Sequence, residues 1–104
     1  MAIFWKRIII TASAAVLCLL IGSGLILPDG GSVFREQRCI SCHTFKGEGG
    51  MTGPDLTGVT KRRGYLWIMR QIKDPLTHNS DSRMPSYEHL SYFEILAVVL
   101  YLRG

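Results

Sequence analysis

The sequence predicts an all-α chain, with one N-terminal transmembrane helix followed by a small domain of three main helices. Three observations carry this. Residues 8–27 contain no charged side chain and are dominated by Ile, Leu, Ala and Val. Tyr65, Ile68, Met69 and Ile72 recur at helical spacing and form one apolar stripe. Ser91-Tyr92-Phe93-Glu94 reads as a capping box, with Leu90 and Ile95 as its hydrophobic staple, opening onto an apolar run over residues 95–102.

The first element is the anchor, residues 1–27. Twenty uncharged residues reach across a hydrocarbon core of about 30 Å at a rise of about 1.5 Å per residue. Lys6 and Arg7 precede the run, and Phe4 and Trp5 beside them fit an interfacial belt. The positive-inside rule then puts everything after Leu27 outside the cytoplasm. A cleaved export signal competes with this reading, although its apolar run is usually about 7–15 residues. Gly22-Ser23-Gly24 is the small-x-small site such cleavage would use, and would release a soluble periplasmic protein. Ala14, Cys18 and Gly22 recur every four residues, a stripe suited to packing on another transmembrane helix or simply a product of composition.

Residues 28–31, Pro-Asp-Gly-Gly, form the linker. At about 3.5 Å per residue it reaches about 14 Å at most, which holds the following domain close to the bilayer. That domain, residues 32–104, is short enough to need a disulfide, metal or cofactor to complete its core. Three cysteines in the whole chain are too few for a disulfide scaffold.

Cys39-Ile40-Ser41-Cys42-His43 supplies the candidate. C-x-x-C-H is the attachment sequence of a c-type haem. On a helix, residues three and four apart share a face, so two thiols meet the haem vinyl groups while the imidazole reaches the iron. Ser32 is a plausible N-cap for a short helix over residues 33–38 leading into the motif. A thioredoxin-like pair would follow a strand, and no strand-like run precedes Cys39. A zinc finger would need two more ligands, and His78 and His89 are too distant in sequence for a compact finger.

One histidine leaves the far side of an iron open. Met69 belongs to the helical stripe and reads as core packing, while Met51 sits among glycines too near His43. Met84 stands in a polar loop before Pro85, a poor place for an apolar thioether without a buried partner. His78 and His89 read as solvated loop residues, with ligation in place of Met84 as their alternative.

Taken in order, Gly30-x-x-x-Phe34, Cys39-x-x-Cys42-His43, Gly53-Pro54-Asp55-Leu56, the stretch Tyr65 to Lys73 ending at Asp74-Pro75, Met84-Pro85 and Tyr101-Leu102 resemble a small bacterial class I cytochrome c. The resemblance covers the exported domain and none of the anchor. It implies a cytochrome c-like fold around one covalent haem c, with His43 and Met84 as axial ligands. It also implies that the Pro54 carbonyl orients His43, and that Gly30 and Phe34 pack on Val98 and Tyr101. Arg62, Arg63 and Trp67 are its candidate propionate partners.

The implied function is one-electron transfer, not enzymatic turnover of a small-molecule substrate. The expected partners are subunits of a respiratory or quinol-linked membrane complex, or another cytochrome, with the bilayer holding residues 8–27. The alternative is a haem-based gas sensor or peroxidase-like protein with a labile Met84. The formal charge is +4, from 12 Lys+Arg against 8 Asp+Glu. Setting aside Lys6 and Arg7, which belong to topology, leaves ten basic residues, and haem propionates would offset the excess. Nucleic acid is therefore not an expected partner, and Lys61-Arg62-Arg63 remains as a local patch for an acidic redox partner.

Overall fold

The computed structural model describes residues 2–22 and 27–104 and, within the first stretch, the side chains of residues 5–11 and 13–18. Helix α1 spans Ala2–Gly22. Its described apolar side chains face outward, with Trp5 61%, Ile9 61% and Ile10 67% exposed. Among the described residues, no helix is long and apolar enough to cross a membrane. The uncharged run over residues 8–27 and the Gly22-Ser23-Gly24 site both enter residues 23–26, which lie outside the described residues.

The domain opens with α2, Gly30–Glu36, capped by Asp29. This differs from the expected cap at Ser32: the helix starts three residues earlier and absorbs Gly30 and Gly31 from the expected linker. The Ser32 hydroxyl instead donates to Asp29 Oδ2 at 2.7 Å. That bond is the main reason the Asp29 carboxyl lies below its ordinary range. The early start has a packing cause. A Cβ on Gly30 would overlap the Ala97 carbonyl and lie 2.9 Å from Tyr101 Cβ, so the glycine lets α2 close on the last helix.

Helix α2 does not run into the cysteine motif as expected. Arg38 adopts a left-handed conformation (φ 60°, ψ 27°) and turns the chain into α3, Cys39–Cys42. His43 follows in extended backbone, so the imidazole is presented from the end of a helical turn rather than from a helix face. An antiparallel hairpin comes next, β1 (Thr44–Phe45) with β2 (Glu48–Gly49), in the register Thr44↔Gly49 and Phe45↔Glu48. Its two turn residues, Lys46 and Gly47, have φ of 51° and 83°, as a tight hairpin turn requires. The fold is therefore mostly helical rather than purely so. Two-residue strands are too short for a period-two pattern to reveal.

Helix α4, Val59–Arg62, is one turn long. Helix α5, Tyr65–Lys73, buries Ile68 and Ile72, while Tyr65 and Met69 pack half-buried against the same core. The expected stripe is thus the core face, and Met69 has its packing role. Asp74-Pro75 ends α5 and opens a 3₁₀ turn, Pro75–Thr77.

The last helix, α6, spans Tyr92–Arg103. Its capping box is complete: Glu94 N–H donates to Ser91 Oγ and Ser91 N–H donates to Glu94 Oε1, both at 3.1 Å. Ile95, Val98, Val99 and Leu102 are all buried because α2, α4 and α5 surround them. Phe34, Phe45 and Tyr101 close a triangle of tilted rings with centroids 5.2 to 6.1 Å apart. This joins α2, the hairpin and α6 in the contact expected between Phe34 and Tyr101.

Gly30→Ala drives a methyl group into the Ala97 backbone, which cannot rotate away. The variant is expected to lose about 3 kcal/mol, the upper end for an overpacked contact, read from its denaturation midpoint.

Candidate haem site

The three main helices and the long central loop enclose a cavity of about 880 Å³. Its apolar lining comes from four helices, with Phe34 from α2, Val59 from α4, Ile68 and Ile72 from α5, and Val98 and Leu102 from α6. Cys39, Cys42, His43, Pro54 and Met84 line the same cavity. Residues spread over 46 positions of sequence are thus brought together around one space.

The imidazole of His43 is held on two sides. Its Nδ1–H donates to the Pro54 carbonyl at 2.8 Å. With that proton committed, Nε2 carries the free lone pair, the form a metal ligand needs. Gly53 provides the other constraint: a Cβ there would lie 2.6 Å from His43 Cε1 and 2.8 Å from Nδ1. The backbone around the motif is fixed as well. Gly53 N–H donates to the Cys42 carbonyl at 2.7 Å, and Leu56 N–H to the Thr44 carbonyl at 2.8 Å. Burial pushes the Cys39 thiol up, whereas Cys42 is exposed.

The loop before Met84 is shaped by contacts that local sequence does not signal. Gln71 Nε2 donates to Met84 Sδ at 3.7 Å, and His78 Nδ1 lies 2.8 Å from Gln71 Oε1. His78 is therefore a half-buried part of the cavity wall, not the solvated loop residue expected. Its ring stacks on Trp67 at 4.2 Å and 8°. The cause is the 3₁₀ turn after α5, which swings His78 back over the helix. His89 keeps to the periphery, 3.3 Å from Gln37 Oε1 and away from the cavity lining.

Trp67, Arg62 and Arg63 also line the cavity. Arg62 donates to the Thr57 carbonyl at 2.8 Å and the Asp55 carbonyl at 3.0 Å, bracing the loop after Pro54. The Thr57 N–H and hydroxyl beside it hold the Asp55 carboxyl below its ordinary range. The Arg63 guanidinium lies over the Trp67 ring, 4.2 Å from its centroid. Tyr87 is a further cavity residue without a sequence signal; its hydroxyl donates to the Gln37 carbonyl at 2.8 Å, and burial raises its pKa.

The residues present fit a haem. The volume accepts a large planar group. Phe34, Val59, Ile68, Ile72, Val98 and Leu102 give it an apolar wall, and two thiols, an oriented imidazole and a thioether among its polar groups are the donor types of a covalently attached iron porphyrin. Gly53→Ala is expected to displace the His43 ring and cut haem incorporation several-fold, measured as Soret absorbance per mole of purified chain.

Comparison with known proteins points to the same class of cofactor. The family model for cytochrome c matches residues 28–104. A cytochrome c oxidase subunit 2 from Alkalihalophilus pseudofirmus (strain ATCC BAA-2126 / JCM 17055 / OF4) is 34% identical over 84 residues, which cover 73% of this chain. The matched stretch spans 25% of that relative. With three-quarters of its length inside the family model, this chain is a member of the cytochrome c family, an electron-transfer protein bearing covalent haem c and its iron.

Proposed function

We propose that this protein is a monohaem electron carrier with His/Met ligation, held at the outer face of the cytoplasmic membrane beside a respiratory redox complex. The observation that carries the ligation is the pairing of two readied donors in one cavity, His43 with its Nε2 lone pair free and Met84 with its sulfur fixed by Gln71. In this reading Cys39 and Cys42 would hold the haem through thioethers, and His43 and Met84 would both ligate its iron. The haem supplies one-electron exchange between Fe(II) and Fe(III), and a Met ligand raises its potential relative to two histidines. The chain's own work is to orient and to exclude water. Pro54 and Gly53 set the imidazole, and Phe34, Ile68, Val98 and Leu102 provide the low-dielectric wall.

The membrane location rests on the uncharged run over residues 8–27, the basic pair before it, and the outward-facing apolar side chains of α1. Because α2 begins at Gly30, little chain separates that run from the folded domain, which favours a fixed subunit or close docking partner over a tethered shuttle. The likeness to a protein named cytochrome c oxidase subunit 2 supports a respiratory complex as the partner.

Two measurements test these readings. The reduced protein is expected to leave its spectrum unchanged under CO, while Met84→Ala binds CO rapidly and loses the thioether-to-ferric-iron charge-transfer band. Rapid CO binding by the native protein would instead establish the gas-sensor alternative. For location, the full chain is expected to resist carbonate extraction from membranes, keep an N-terminal mass that includes residues 1–27, and co-purify with other redox subunits in mild detergent. Release as a chain starting near residue 25 would make it a soluble periplasmic carrier.

A further inference from the structure

We propose that His78 is a positioning residue for the axial thioether, acting through Gln71. This inference rests on the reading of Met84 as the sixth ligand and deepens it.

A glutamine amide presents a donor on one side and an acceptor on the other, and either can be turned toward a neighbour. Met84 Sδ has only lone pairs to offer, so only the Nε2–H of Gln71 makes a favourable contact with it. An amide rotated the other way would set Oε1 against sulfur, acceptor to acceptor. His78 selects between the two orientations. In the tautomer with the proton on Nδ1, its N–H, 2.8 Å from Gln71 Oε1, engages the amide oxygen and leaves the NH₂ group facing Met84.

The imidazole can do this because it is itself held. Its ring lies on Trp67 at 4.2 Å and 8°, and Arg63 covers Trp67 with its guanidinium 4.2 Å from the ring centroid. Backbone geometry adds a second restraint, since His78 N–H donates to the Pro75 carbonyl at the end of the 3₁₀ turn. A chain of contacts thus runs from Arg63 through Trp67, His78 and Gln71 to Met84. All five residues line the one cavity.

The consequence is electronic. A hydrogen bond to the thioether draws density from the lone pairs that would otherwise be donated to iron. Ferric iron depends on that donation more than ferrous iron does, so the bond favours the reduced state. Loss of the His78 donor frees the Gln71 amide to rotate, weakens the bond and lowers the potential.

The test separates donor from stack. His78→Phe keeps an aromatic ring on Trp67 and removes the donor, while His78→Asn keeps an N–H near the position of Nδ1 and removes the ring. With haem attached, His78→Phe is expected to lower the reduced-to-oxidised ratio at fixed applied potential three- to tenfold, up to about 59 mV for one electron. His78→Asn is expected to recover most of the shift. Gln71→Leu should match His78→Phe, and the double variant should move no further, since both act on one bond. Equal potentials in native and His78→Phe proteins, or a shift in His78→Asn as large as in His78→Phe, would overturn the proposal, as would additive shifts in the double variant. The thioether-to-iron band distinguishes the two levels. Its absence from the native protein removes the ligand assignment and this inference together; its presence in native and variants alike, with unmoved potentials, removes the inference alone. Gln71→Leu supplies the same comparison if His78→Phe does not fold.

Discussion

The approach of α2 to α6 is the contact on which the rest of the domain depends. Gly30 has no side chain because the Ala97 backbone occupies the place a Cβ would take. With the helices that close, Phe34 reaches the hairpin residue Phe45 and the α6 residue Tyr101, and lines the cavity together with Val98 and Leu102 of α6 as an apolar wall. A larger residue at Gly30 would separate Phe34 from Val98 and Leu102, and the wall would open to water. A domain of this size has little other core to compensate, since much of its interior is the cavity itself. Chain termini are thereby coupled to the site: the first and last helices of the domain set the geometry in which the middle of the chain folds.

That middle segment uses backbone bonds where the helices use packing. Between His43 and Val59 it has little regular structure, yet nearly every turn is tied. The Cys42, Thr44 and Pro54 carbonyls accept bonds from Gly53, Leu56 and His43, and Arg62 reaches back to the carbonyls of Asp55 and Thr57. Arg62 spends two of its donors inside the loop, so bracing is its evident work, whatever else its guanidinium meets at the cavity edge. The imidazole inherits its orientation from this network. Loop and helix pair therefore act on different atoms of the site, one setting the direction of the His43 imidazole and the other its dielectric surroundings.

Much of this was legible in the residues, and most of what was not depends on contacts distant in sequence. The Tyr65, Ile68, Met69, Ile72 stripe and the Ser91–Glu94 capping box are local patterns, and both elements formed where the patterns lie. Cys39, Cys42, His43, Pro54 and Met84 were placed by motif and resemblance, and all reach one cavity. Several features escaped, and three show why. The hairpin strands are two residues each, below the length at which alternation is visible. The start of α2 follows a contact with Ala97, 67 positions away, which overrides the local preference for Ser32 as a cap. His78 sits in a polar stretch that reads as solvated, and only the 3₁₀ turn at Pro75 brings its ring onto Trp67. The last two are tertiary decisions made at positions whose neighbours in sequence say nothing about them.

The same tertiary contacts explain why a polar loop can hold the apolar Met84 side chain still. The stretch after α5 would be free if it relied on its own residues. Instead Tyr87 N–H donates to the Ile72 carbonyl at 3.0 Å, its hydroxyl to the Gln37 carbonyl, and Ser86 Oγ to the Lys73 carbonyl at 2.6 Å. Lys73 closes the far end, with Nζ donating to the carbonyls of Glu88 and Leu90 at 3.2 and 3.1 Å. Met84 lies inside a segment fastened to α5 on one side and to the end of α2 on the other. A carrier that alternates between two charge states gains from such fastening, because dipoles and ligands already in place need little rearrangement when an electron arrives or leaves. The bonds that secure the Met84 loop thus connect the packing of the small domain to the speed of the reaction it serves.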